Sequence, residues 1–242
     1  MILAIDAGNS RVKWGGFENG AWAMTGAVER AEIDTLETVF WKLEKPTKIV
    51  VSNVAGPDIA KKISSMIANF SITPVWLRPT KNGGGVINGY ADPNQLGSDR
   101  WAALIGARRE QSGPVLVINA GTALTIDAMM ATGEFLGGLI IPGVRLMMQS
   151  LTHGTAHAHA DHGEYSAFPS NTNDAMYSGA LNAALGAIER MRTALGRRTG
   201  LSPTCIVSGG AATALIRHLT PPVYEQPHLV LLGLVTIAEA TN

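Results

Sequence analysis

Two segments about half the chain apart carry the same arrangement of potentially reactive residues. They are Ile5-Asp6-Ala7-Gly8-Asn9-Ser10-Arg11-Val12-Lys13 and Ile118-Asn119-Ala120-Gly121-Thr122-Ala123-Leu124-Thr125-Ile126-Asp127. In each, an apolar run meets an acidic or amide residue, then Ala-Gly, then small hydroxyl or amide residues, then a second strand-like run. A glycine turn exposes backbone N–H groups, and with the Asn9 and Ser10 side chains these can donate to phosphate oxygens. A carboxylate such as Asp6 suits a hard Mg²⁺ ion, held directly or through water, and Lys13 adds positive charge near the terminal phosphates. Thr122 occupies the place of Asn9 in the second copy. The competing reading of Asp6 is a capping residue in an ordinary hairpin, since Asp-x-Gly is common in turns. Asp127 reads as a solvated strand charge or a hydrogen-bonded support.

A second group is Gly97-Ser98-Asp99-Arg100, at the start of a helical pattern through Trp101, Leu104 and Ile105. Ser98 is a good N-cap, which puts Asp99 and Arg100 in the first turn. A carboxylate there can serve as the base in phosphoryl transfer, kept ionised by the helix dipole, and Arg100 can pair with an acidic substrate. The alternative is a plain helix start with Arg100 on its surface. Gly209-Gly210 follows a short strand and either lets an adenine ring approach the backbone or makes an ordinary strand-to-helix turn. His153, His157, His159 and His162, with Asp161 and Glu164, could bind a transition metal. Gly154 and Gly163 and the missing periodicity favour a loop instead.

These residues need a scaffold. Met1–Ile5, Arg11–Phe17 and Ala21–Val28 read as three strands, followed by a helix from Asp34 to Leu43 and a strand at Lys48–Ser52. Pro57 opens a helix whose core face is Ile59, Ile63, Met66 and Ile67, and Thr73–Leu77 returns as a strand. The second half repeats the order with strands at Val115–Asn119, Leu124–Met130 and Phe135–Ile141. Helices are expected over Gly143–Leu151, Asn173–Leu195 and Ala211–Leu219, with a strand at Thr204–Val207. His228–Leu231 is a strand or the start of a last helix. The glycine-rich connector Pro79–Pro93 is expected to lack regular structure. The implied domains are 1–114 and 115–242.

Composition narrows the partners. The chain has 242 residues, 46% of them apolar, enough for two cores. Nineteen basic and 19 acidic side chains cancel, so neither nucleic acid nor an anionic membrane is expected as a partner, and a small molecule is favoured. Cys205 stands alone, which suits a reducing cytoplasm. Asp6 interrupts the first apolar run, so no signal peptide is expected, and no stretch has the ~18 uncharged apolar residues of a membrane span.

A doubled β-β-β-α-β-α-β order resembles the α/β fold of actin, the Hsp70 ATPase domain and hexokinases. That resemblance implies duplicated ribonuclease H-like (actin-like ATPase) domains, each a mixed sheet flanked by helices, with the nucleotide in a cleft between them. More specifically, Asp6-Ala7-Gly8-Asn9-Ser10, Gly97-Ser98-Asp99-Arg100, Gly121-Thr122-Ala123 and Asn171-Thr172 resemble the type III pantothenate kinases, in the family's order. This likeness implies ATP-dependent phosphorylation of pantothenate to 4′-phosphopantothenate, the first step of coenzyme A synthesis, with Asp99 as general base. It implies ATP contacts from Asp6, Ala7, Gly8, Asn9, Ser10, Arg11, Val12, Lys13 and Thr122, and pantothenate contacts from Tyr90, Gly97, Ser98, Asp99, Arg100 and Thr172. It also implies Mg²⁺, a monovalent cation (K⁺ or NH₄⁺), and a homodimer in which Thr172 serves the partner's site. Ser10 stands where threonine is usual. Asn119 replaces the aspartate associated with the monovalent cation, keeping an oxygen but losing its charge. The rival expectations are a sugar or carboxylate kinase of the same fold, and an ATP-switched binding or assembly protein.

Overall fold

Two units, each with its own apolar core, divide the chain in the computed structural model, which describes residues 1–153 and 163–241. The first unit comprises Met1–Ser112, Gly133–Phe135 and His228–Asn242, and the second Gly113–Thr132 and Leu136–Pro227.

In the first unit, β1 (Ile2–Ala7), β2 (Arg11–Glu18) and β3 (Ala21–Glu29) form an antiparallel meander. Then come α1 (Thr35–Trp41), β4 (Lys48–Asn53), α2 (Pro57–Ile67) and β5 (Val75–Trp76). The sheet order is β3-β2-β1-β4-β5, with β4 parallel to β1 because a helix carries the chain back over the sheet. Central β1 is buried along nearly its whole length, whereas β3 at the edge is largely exposed. Ile63, Met66 and Ile67 of α2 enter the core as their spacing requires, with Ile59 partly buried beside them. Asp34 stands at the N-cap of α1 without capping it; its carboxylate instead holds Lys62 at 2.7 Å.

The glycine-rich connector contains a small hairpin where no regular structure was expected, β6 (Asn82–Gly83) and β7 (Val86–Asn88). Gly84 and Gly85 both have positive φ (56° and 78°), the conformation a two-residue hairpin loop demands. Then α3 (Ser98–Glu110) runs with every residue from Trp101 to Ala107 buried. Its N-cap is Gly97, not Ser98, and among the described residues no side chain caps it.

The second unit contains β8 (Val115–Ala120), β9 (Ala123–Met129), β10 (Glu134–Pro142), α4 (Val144–His153), α5 (Thr172–Thr199), β11 (Thr204–Ser208), α6 (Ala212–Ile216) and β12 (Val223–Glu225). Its strands lie in the order β12-β11-β8-β9-β10. The first residues of β10 group with the first unit, where Glu134 and Phe135 pair with Ile87 and Asn88 of β7. Helix α5 starts one residue earlier and ends four later than the periodicity indicates, finishing on Gly200 in the left-handed region (φ 71°). Ala180, Leu181, Ala184 and Ile188 are its core residues.

The final segment is a helix, α7 (Leu229–Ala240), and it belongs to the first unit. It packs on α3 through glycines: a Cβ on Gly233 would run into the Ala102 carbonyl, and one on Gly106 into that of Leu229. Lys48 Nζ donates to the carbonyls of Ala238 and Thr241.

Candidate active site

Asp6 sits near the carboxyl end of β1, in register with Lys13 on β2 and Ser52 on β4. It is 8% exposed, and among the described residues its Oδ1 has no hydrogen-bond partner. Burial, then the charge of Asp99, push its pKa up to about 7, against the opposing pull of Lys13 and a hydrogen bond from Ser52. Asp99 lies in the first turn of α3, and its Oδ1 accepts from the Arg100 backbone N–H at 2.8 Å. Burial raises its pKa too, partly offset by that backbone bond and by the Arg100 charge. Two carboxylates, one with an unpartnered buried oxygen, therefore share a water-poor place. An orphaned hard oxygen of this kind fits a divalent cation such as Mg²⁺, which prefers carboxylate and phosphate oxygens.

Arg100 is only 5% exposed. Its Nη1 donates to the Tyr90 hydroxyl at 3.0 Å, and its guanidinium carbon stands 5.7 Å and 5.9 Å from the ring centres of Tyr90 and Phe135. The two rings are 5.4 Å apart. Arg100 is thus held by aromatic faces and is no surface residue. The buried Asn88 amide oxygen accepts from the Tyr90 N–H, which fixes the start of this frame.

The first hairpin turn closes with Gly8 N–H on the Arg11 carbonyl at 3.0 Å, leaving Asn9 and Ser10 exposed. Ala7 and Val12 are fully buried, so their side chains serve the core and only their backbones can meet a ligand. Arg11 pairs with Glu29 at 2.6 Å, and half-buried Lys13 lies close enough to His228 to lower that imidazole's pKa, secondary to burial.

In the second unit the matching turn closes with Gly121 N–H on the Ala123 carbonyl, and Gly143 N–H binds the Thr122 carbonyl at 2.8 Å. Thr122 is exposed, and Asn119 is half-buried, in register with Thr125 and Ser208. Asp127 is 1% exposed, so it is not a solvated strand charge. The glycine pair separates into two roles. Gly209 has φ 100°, and a Cβ there would meet the Ala120 backbone; among the described residues nothing comes within 4 Å of where a Cβ on Gly210 would stand. Gly210 also lines a cavity of about 1010 Å³ with Arg145, Asn171, Asp174 and Tyr177, all from this unit. Asn171 caps α5, accepting from the Asp174 N–H at 3.0 Å, and Thr172 is the exposed first residue of that helix. His157, His159, His162 and Asp161 lie outside the described residues, as does the side chain of His153. Glu164 donates its N–H to Asp174.

Sequence reasoning missed Ser52 and Phe135. A lone hydroxyl at the end of the apolar run Lys48–Ser52 was a signal for the first, since a strand facing two cores has little use for serine. Phe135 gave no signal, because its partners come from a connector expected to be irregular.

A sequence profile for the type III pantothenate kinase family matches residues 2–194. A protein from Nitrosospira multiformis named type III pantothenate kinase is 42% identical over 242 residues, covering 100% of this chain and 92% of its own. Among solved structures, a Campylobacter jejuni protein assigned to the Baf family of transcriptional activators aligns at TM-score 0.65 and 20% identity, covering 98% of each chain. A Sinorhizobium meliloti protein assigned as a 2-dehydro-3-deoxygalactonokinase aligns at TM-score 0.59 and 14% identity, covering 99% of each. The structural likenesses speak to the fold alone: duplicated ribonuclease H-like, actin-like ATPase units.

Proposed function

The chain belongs to the type III pantothenate kinase family and is an ATP-dependent pantothenate kinase; from that premise we propose how its residues divide the work of the first step of coenzyme A synthesis. Asp99 is the general base. It aligns the primary hydroxyl of pantothenate and takes its proton as the oxygen attacks the γ-phosphorus; the bond to the bridging oxygen breaks, giving 4′-phosphopantothenate and ADP. The supporting observation is the pair of buried Asp6 and half-buried Asp99, in which desolvation raises the pKa of each carboxylate and one keeps an oxygen free for a ligand.

Asp6 would hold Mg²⁺, directly or through water, and the bound ion supplies charge neutralisation along the phosphate chain. The backbone from Asp6 to Lys13 meets phosphate oxygens, with the side chains of Asn9, Ser10 and Lys13. Thr122, Gly209 and Gly210 are further ATP contacts. Arg100, oriented by Tyr90, meets the pantothenate carboxylate, alongside Gly97 and Ser98. Thr172 serves the site of a partner in a homodimer, and the enzyme works in the cytoplasm. K⁺ or NH₄⁺ would find at Asn119 only a neutral amide oxygen.

The deciding experiment couples ADP release to a substrate panel. Turnover with pantothenate, and none with hexoses or acetate, is expected. Asp99→Asn should bind ATP normally yet lose about 10²-fold or more in kcat. Near wild-type turnover by that variant would remove Asp99 from its role.

A further inference from the structure

Beside the two carboxylates stands a pair of hydroxyls with no part yet in the chemical step, Ser52 with none at all and Ser98 placed above only as a pantothenate contact. Ser52 is fully buried, and Ser98 is 8% exposed. Their Oγ atoms are 3.0 Å apart. Across β1 and β4 the Ser52 hydroxyl is also the register partner of Asp6, placed to donate to its carboxylate and so to hold its pKa down against burial. A serine has one hydroxyl proton; given to the carboxylate, it leaves Ser52 to accept from Ser98. Ser98 is the residue just before Asp99, and its hydroxyl is not used to cap its own helix. A continuous chain therefore runs from the β1 carboxylate through two hydroxyls to the first turn of α3.

Burying two hydroxyls has a cost unless they bond, and alanines would fill these places without that demand. The repeat offers an internal control. Its matching register pair is Asn119 and Ser208, but the Ser208 hydroxyl goes to a backbone carbonyl, that of Pro227 at 3.4 Å, and not to a second hydroxyl. The hydroxyl bridge is a feature of the unit that carries the acidic pair.

We propose that Ser52 is a positioning residue of the phosphoryl transfer: its hydroxyl ties Asp6 to Ser98 and so fixes where Asp99 stands relative to the phosphate-side carboxylate. This rests on the roles given above to Asp6 and Asp99. Catalysis by placement is steep in distance, and a base-bearing helix start that shifts by a fraction of an ångström slows the chemistry without weakening substrate binding.

The test compares wild type with Ser52→Ala, Ser52→Thr, Ser98→Ala and the Ser52→Ala/Ser98→Ala double variant, measuring kcat, both KM values and melting temperature. Ser52→Ala should lower kcat about tenfold with both KM values within about twofold. Ser52→Thr, which restores the hydroxyl, should recover most of the rate. At saturating pantothenate the double variant should have a kcat no lower than that of Ser52→Ala, since one bridge is broken either way, and any contact of Ser98 with pantothenate shows only in that KM. A Ser52→Ala enzyme of normal kcat, multiplicative losses in the double variant, or a folded Ser52→Thr as slow as the alanine form would each overturn the proposal. Should Ser52→Thr fail to fold, the cycle with Ser98 still decides. Asp99→Asn in the same assay separates the two levels. If that variant is active, the base assignment falls; if it is inactive while Ser52→Ala is normal, only the bridge falls.

Discussion

Gly97 has no room for a side chain because Asp99 Oδ1 lies 2.6 Å from where its Cβ would stand. The glycine's own backbone is ordinary (φ −62°, ψ 141°), so the constraint is steric and concerns one carboxylate. Gly97→Ala should displace Asp99 and lower kcat by about tenfold or more, while the melting temperature moves little. Steady-state kinetics beside a thermal melt check this, and an unchanged kcat would show that the carboxylate is free to stand elsewhere.

Asp6 links activity to stability with opposite signs. Its folded pKa of about 7 lies above the usual carboxylate value of 3.8, so the folded chain holds a proton that the unfolded chain has lost between those limits. Stability from this group is complete below about pH 4 and falls as pH rises towards 7, by up to a few kcal/mol. Asp6→Asn should therefore melt higher than wild type at pH 8, differ little near pH 4, and lose turnover. Melting curves without nucleotide or metal across that range decide the matter; an Asp6→Asn protein less stable at pH 8 contradicts it.

The glycines of the 209–210 pair should fail in different ways. Gly209→Ala forces a side chain at φ 100° into the Ala120 backbone and should destabilise the second unit by about 1–3 kcal/mol or more. Gly210→Ala meets nothing within 4 Å among the described residues, so its melting temperature should hold while the KM for ATP rises. Equal loss of stability in both would undo the distinction.

An amide at position 119 cannot attract a monovalent cation as a carboxylate does. Omitting K⁺ and NH₄⁺ should change turnover by less than about tenfold, and Asn119→Asp should make the enzyme more responsive to K⁺. Assays in Tris or tetramethylammonium buffers, with and without KCl, test this. Strong K⁺ dependence in the wild type would mean that neutral oxygens suffice.

Much of this arrangement was legible because it is local. Period and glycine punctuation located the two hairpins, and the Gly97–Arg100 element placed Asp99 in a first turn. What escaped depended on tertiary partners. Ser98 looks like a cap by type, yet its hydroxyl goes to Ser52, 46 residues earlier in the chain. Arg100 looks like a surface charge until the Phe135 ring arrives from a strand start 35 residues later. Asp34 fills the cap position of α1, yet an ion pair with Lys62 claims its oxygens. Polar side chains with several possible partners are decided by who else is near, and one-dimensional spacing does not record that.

The return of α7 to the first unit has a consequence for synthesis. Leu229, Leu231, Leu234 and Val235 are at most 1% exposed, so the amino-terminal core stays open until they have left the ribosome. The residues of the second unit, by contrast, have by then all been made. Nascent chains stalled before residue 228 should expose the face of α3 that α7 covers, and chaperones would meet this protein first at the end that was translated earliest.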